Sequence, residues 1–270
     1  MNINIYDVSK KAGVSIATVS RVLNGNTRVS EKTRDKVINA MKELDYTPNV
    51  FARGLGLNTM KTIGIMCIDS SDIYLANAVY YLEQELRKYN YDSILCCTGK
   101  DYNNKKNYLE LLLSKRVDGI ILAGSQFVEN TSKHNNDYII NAAKDVPIVL
   151  VNGYLDADNI YSVMCNDEEA VYNATKLLIN NSHRNIVYLY TSTSYSGMNK
   201  YRGYLKAINE AGITLPDEFH HLCGKNISHA RDYLTYLYDK GMKFDAVMTS
   251  DDSIAAGAVK FAHTLSLIHI

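Results

Sequence analysis

Tryptophan is absent from this chain of 270 residues, and neither sign of charge dominates, 29 Lys and Arg facing 29 Asp and Glu. That balance argues for no particular partner. The five cysteines, Cys67, Cys96, Cys97, Cys165 and Cys223, are odd in number and lack any C-x-x-C spacing, which speaks against a closed disulfide framework or a zinc ribbon. Four of them stand in apolar, strand-like runs, where a free thiol behaves as a small hydrophobe. A reducing compartment is expected. No charged-then-apolar leader opens the chain, and no apolar run approaches the roughly 20 residues of a membrane span. The expectation is a soluble, cytoplasmic protein with no membrane partner.

Catalytic signatures are also thin. Gly119 to Ser125 and Thr98-Gly99-Lys100 mimic fragments of phosphate loops, but neither completes G-x-x-x-x-G-K-[ST], and no G-x-S-x-G occurs. His220, His221 and Cys223 lack the spacing of a zinc set. The chain is therefore expected to be no enzyme and to need no metal or cofactor.

Charge is distributed unevenly. Residues 1–60 hold nine Lys and Arg against five Asp and Glu, leaving 20 basic and 24 acidic residues for the remainder. A basic head on a mildly acidic body suits a polyanion at the N-terminus only. Within that head, Ile5 to Asn24 (IYDVSKKAGVSIATVSRVLN) reads as two short helices joined by a tight turn. Asn4 and Asp7 form a capping box for the first, Gly13 supplies a left-handed residue to end it, and Ser15 caps the second. Val19, Val22 and Leu23 fall on one face of that second helix. Its other face carries Ser15, Ile16, Ala17, Thr18, Ser20, Arg21 and Asn24 and no acid. That is the helix-turn-helix pattern, the alternative being a helical hairpin with a solvated face. Ser30 caps a third helix with Val37, Ala40, Met41 and Leu44 along its stripe. Val8, Ala12, Val14, Val19, Val22, Val37, Met41 and Leu44 supply a small core.

Pro48 stops the third helix. Asn49 to Asn58 (NVFARGLGLN) is interrupted by Gly54 and Gly56 and does not hold a helix alone in water. It is either a plain linker or a segment that folds against a surface. From Thr62 onward strands alternate with helices, giving parallel, doubly wound sheets. One round runs to PIVLV (147–151), and a second starts with a strand around 160–165. Two such sheets leave a cleft, with ligands expected outside the carboxyl ends of the strands.

The head resembles the lactose/galactose repressor family of bacterial transcription regulators through IYDVSKKAGVSIATVSRVLNG, VSEKTRDKV and LDYTPNVFARGL. The body is similar through TIGI, KRVDGIIL, VPIVLVN, SHRNIVYL, YRGYLKAI and TSDDSIAAGA, in order. The resemblance implies an α/β chain: an all-α head (1–48), a hinge (49–61) and a two-lobed body like a periplasmic binding protein (62–270). It implies further that Ile16, Ala17 and Arg21 meet bases, since Arg21 can fork onto guanine and a small or apolar side chain can meet a thymine methyl. Tyr6, Ser15, Thr18, Ser20, Asn24, Arg28 and Asn49 are implied phosphate contacts, with packing between helices as the alternative for Tyr6 and Thr18. Leu55 falls at the family's minor-groove wedge position, with Ala52 beside it.

For a small-molecule effector, a sugar or sugar derivative, the implied contacts are Ser71, Asp72, Tyr74, Asn152, Ser196, Lys200 and Asp251, each alone being as well explained as a solvated loop residue. Tyr74 and Tyr195 offer ring faces to a pyranose. Asp72-Ile73-Tyr74 departs from the family's Asn-Pro-aromatic, and Lys200 stands where Arg is common. The implied function is a repressor, homodimeric on a pseudo-palindromic DNA operator. A sugar-binding receptor of periplasmic type is the rival, since its body would look alike. Relatives continue beyond residue 270, so either the chain is a fragment, the favoured reading, which leaves the second lobe incomplete, or its last residues are non-native, Ser266 to Ile270 (SLIHI) being the suspect ones.

Overall fold

The computed structural model describes residues 3–25, 27–47, 59–129 and 133–265. The head is three helices, α1 (Ile5–Ala12), α2 (Ile16–Leu23) and α3 (Glu31–Glu43). The Asn4 side chain accepts from the Tyr6 N–H at 2.9 Å while its own N–H donates to Asp7 Oδ2 at 2.9 Å, satisfying donors that a helix start leaves open. Gly13 takes φ 65°, a backbone that a Cβ resists. Val8, Val19 and Val37 are fully buried, with Val22 and Ala40 beside them and Ala12, Val14, Met41 and Leu44 around the edge. At about 1.5–3 kcal/mol per buried side chain, these few residues hold the three helices together.

The first lobe of the body comprises β1 (Thr62–Cys67), α4 (Ile73–Lys88), β2 (Asp92–Cys97), α5 (Tyr102–Ser114), β3 (Gly119–Ala123), α6 (Asp137–Ala142), β4 (Ile148–Val151) and β5 (Ile160–Val163). Its parallel sheet runs β2-β1-β3-β4-β5. The second lobe comprises α7 (Asp167–Asn180), β6 (Ile186–Tyr190), α8 (Tyr195–Glu210), β7 (His220–Leu222), α9 (Ile227–Asp239), β8 (Ala246–Thr249) and α10 (Asp252–Thr264). Its parallel sheet runs β7-β6-β8.

Three sequence expectations are corrected. The strand expected to open the second round is β5, and it extends the first sheet, Ile148 pairing with Ile160. Asn152 and Asn159 adopt positive φ (58° and 61°) and turn the chain back beside β4 within one short connection. α8 begins at Tyr195 rather than near residue 199 because Ser194 accepts the Gly197 N–H at 3.3 Å and so caps the helix earlier. The cysteines also divide: Cys67, Cys96 and Cys223 are buried, but Cys97, on the edge strand, and Cys165 are exposed.

Candidate functional site

Two surfaces concentrate the residues singled out in the sequence. On the head, the outer face of α2 exposes Ser15, Ile16, Ala17 and Arg21, while Thr18, Ser20 and Asn24 are half-buried. Tyr6 on α1 is 66% exposed, which disfavours packing between helices as its role, and Arg28 is exposed in the loop after α2. Ser15 Oγ accepts the Thr18 N–H at 3.2 Å and lies 2.9 Å from Thr18 Oγ1. Both hydroxyls thus sit at the positive end of the helix dipole, where an anion is stabilised. Asn49, Ala52 and Leu55 lie outside the described residues.

In the body, a cavity of about 420 Å³ opens between the lobes, at the carboxyl ends of both sheets. The N-termini of α4, α8 and α10 meet there, capped by Asp72, Ser194 and Asp251. Asp72, Tyr74, Asn152, Ser196, Lys200 and Asp251 all line the cavity. Ser71 does not, because its N–H and hydroxyl both turn onto Asp69 Oδ1, at 2.8 and 2.7 Å. Tyr195 is likewise not among the lining residues, leaving the Tyr74 ring, whose hydroxyl accepts from Asn152 Nδ2 at 2.7 Å. The Ser196 hydroxyl donates to Asp167 Oδ2 at 2.5 Å, and Lys200 Nζ donates to the Ser250 carbonyl at 3.1 Å.

Sequence reasoning missed Lys225. It leaves β7 at the strand's carboxyl end, donates from Nζ to Asp72 Oδ2 across the cleft, and lies 3.6 Å from Asp251 Oδ2. A second bridge joins the lobes, the Ser125 hydroxyl donating to Ser194 Oγ at 2.9 Å. Burial works against the charge of Lys225, but the hydrogen bond it donates to Asp72 and the charges of Asp251 and Asp72 outweigh it and raise its pKa. Burial likewise opposes ionisation of Asp251. The Ser253 hydroxyl and N–H, with Lys225, overcome that and lower its pKa. Asp251 Oδ1 already accepts both Ser253 groups, at 2.5 and 2.9 Å, so it has less capacity for a ligand than its strand-end position suggests.

Lys200 and Lys225 face Asp72, Asp167, Asp251 and Asp252 in the wall. Four carboxylates against two ammoniums disfavour an anion, and the remaining hydroxyls and the amides of Gln126 and Asn152 suit a neutral, polyhydroxylated molecule. Among the described residues no cluster of three or more metal-ligating side chains occurs. None of their helices is long and apolar enough to cross a membrane.

Residues 4–49 match the family model for bacterial regulatory proteins of the lacI family, and residues 60–266 match that for periplasmic binding proteins and the sugar-binding domain of the LacI family. The chain belongs to the LacI family. It is accordingly an effector-controlled, DNA-binding transcriptional regulator and not an enzyme. The match to a LacI head at residues 4–49 decides against the receptor alternative. An HTH-type transcriptional regulator of Lachnoclostridium phytofermentans is 56% identical over 258 residues, covering 96% of this chain and 77% of that relative. Catabolite control protein A of Priestia megaterium is 31% identical, covering 99% and 79%. The lac repressor dimer bound to operator and the anti-inducer ONPF shares the fold, with a TM-score of 0.84 at 22% identity, covering 98% of this chain and 79% of that one.

Proposed function

We propose that this LacI-family member is a cytoplasmic repressor that binds a pseudo-palindromic operator as a homodimer and responds to a neutral sugar held in the cleft. The observation that carries the sugar assignment is the cavity wall. It combines one exposed tyrosine ring with hydroxyls and two amides, and its excess of carboxylate repels anionic ligands. The matched family model, described as a sugar-binding domain, supports the same class. Asp72, Tyr74, Asn152, Ser196, Lys200 and Asp251 contact the sugar in this reading, while Ser71 acts only through the loop it shares with Asp69.

Residues 1–48 read DNA, 49–61 form the hinge and 62–270 hold the effector and the partner. Ile16, Ala17 and Arg21 meet base edges. Tyr6, Ser15, Thr18, Ser20, Asn24, Arg28 and Asn49 hold phosphates, and Ala52 and Leu55 enter the minor groove. Sugar and operator affinities are then reciprocally coupled. The test is a gel-shift titration across salt, with and without a panel of neutral sugars. Affinity for a cognate operator falls steeply with salt, by a log–log slope near −0.9 per phosphate contact, and one sugar shifts the curve. A flat salt response overturns the DNA assignment. Response only to anionic ligands overturns the sugar assignment.

A further inference from the structure

We propose that Cys67 and Cys97 form an intramolecular disulfide when the protein meets a small-molecule disulfide, making the ends of β1 and β2 a reversible modification site. The two residues are register partners on adjacent parallel strands, and their Sγ atoms lie 3.6 Å apart. In-register neighbours in a sheet have Cα atoms about 4.8 Å apart, inside the range of roughly 4.4–6.8 Å that a disulfide spans. Closing the sulfur gap to about 2.05 Å therefore asks for side-chain rotation and not for movement of a strand. Cys96 points to the opposite face of the sheet and does not compete.

Access is one-sided. Cys97 is exposed on the edge strand, whereas Cys67 is fully buried beneath α4 with Leu75 and Ala123. That sets the order of steps. The Cys97 thiolate attacks the small disulfide, forming a mixed disulfide and expelling one thiolate. Cys67 then loses its proton to water and attacks the Cys97 sulfur, expelling the second. Two protein thiols are oxidised and one small disulfide is reduced to two thiols. Burial and the contact with Cys97 push the Cys67 thiol up to about 12. The part due to Cys97 disappears once that sulfur is capped, but burial, the larger cause, remains, so the second step is still the slower one and accelerates with pH. Cys165 is exposed in the cleft wall. No thiol partner for it is seen among the described residues, so it stops at the mixed disulfide.

The bond would rivet two strand ends that backbone contacts already join, Thr98 N–H to the Cys67 carbonyl at 2.9 Å and Gly99 N–H to the Ile68 carbonyl at 3.0 Å. Ile68 lines the effector cavity.

The test treats the native protein with oxidised glutathione, alkylates it after unfolding and maps the peptides by mass spectrometry. The expected product is a Cys67–Cys97 linked peptide two hydrogens lighter than its parts, with Cys96 and Cys223 alkylated. Its melting temperature is raised, and dithiothreitol reverses the rise. Cys97→Ser, at an exposed position, removes the linked peptide, and Cys67→Ala leaves Cys97 as the glutathione adduct. The proposal is overturned if the wild type stops at the Cys97 adduct, if Cys97 pairs with another chain, or if the link forms only after denaturation.

Discussion

Gly203→Ala sets two known effects against each other. Gly203 lies in α8 where that helix crosses α7, and a Cβ built there falls 2.1 Å from the Glu168 carbonyl oxygen and 3.0 Å from the Tyr172 nitrogen. Alanine is favoured over glycine in a helix interior by about 1 kcal/mol, so on propensity alone the change stabilises. The obstructing atoms are backbone, however, and cannot rotate aside. The contact must lengthen from 2.1 Å to at least 3.4 Å, so the helices must move apart. Overpacking of this kind costs about 1–3 kcal/mol, and the rigid obstacle puts this site at the upper end. The net loss is then about 2 kcal/mol, or roughly 4–8 °C in Tm for a body of this size. Because α8 carries Ser196 and Lys200 into the cleft, its displacement also weakens binding of the sugar proposed above. Thermal melting monitored by circular dichroism, with and without the sugar, measures both. A variant as stable as the parent would refute the close crossing of α7 and α8.

Arg21→Ala removes the only long cation on the exposed face of α2 and should cost operator binding about 1–3 kcal/mol, read by fluorescence anisotropy against operator and random DNA; equal losses on both would exclude a base contact. Leu55→Ala lowers operator affinity and bending while non-specific binding persists, and unchanged affinity in a gel shift would sink the wedge role. Lys225→Met removes the charged bridge to Asp72. With the Lys225 side chain 49% exposed, the pair is worth no more than about 1 kcal/mol, so the ratio of closed to open lobes falls by at most about fivefold. Inter-lobe energy transfer checks this, and a ratio insensitive to both mutation and salt would contradict it. His220 and His221 are held below their ordinary 6.5 by burial, with Asp217 partly opposing at His220 and His229 reinforcing at His221. Their Nε2 atoms are buried without a hydrogen-bond partner. The unfolded chain takes up protons there first, so stability is full above pH 6.5 and falls as the pH drops below it. A His221→Phe variant flattens part of that fall in melts between pH 7.5 and 5.

What could be read locally was read well. Asn4, Gly13, Ser15 and Ser30 set helix ends through contacts spanning three to five residues, so the composition of a short window contains the whole interaction. The strand-helix alternation is equally local, since burial on both sheet faces demands continuous apolar runs. The expectation failed where partners are remote. Nothing near Ile160 says that it joins β4, because strand pairing is decided by which edge is open. Ser71 failed for the opposite reason: it is a polar residue after a strand like many ligand contacts, but a local acceptor, Asp69 in its own turn, captures it.

The sequence alone determined that this is a helix-turn-helix head on a doubly wound, two-lobed body, because caps, periodicities and motif order are properties of neighbouring residues. The tertiary structure decided what the cleft is made of. Lys225 and Asp72 stand 153 positions apart in the chain, and only the folding of two sheets toward a common opening brings their opposite charges into contact. The Cys67–Cys97 pairing follows the same logic on a smaller scale, through the register of two parallel strands.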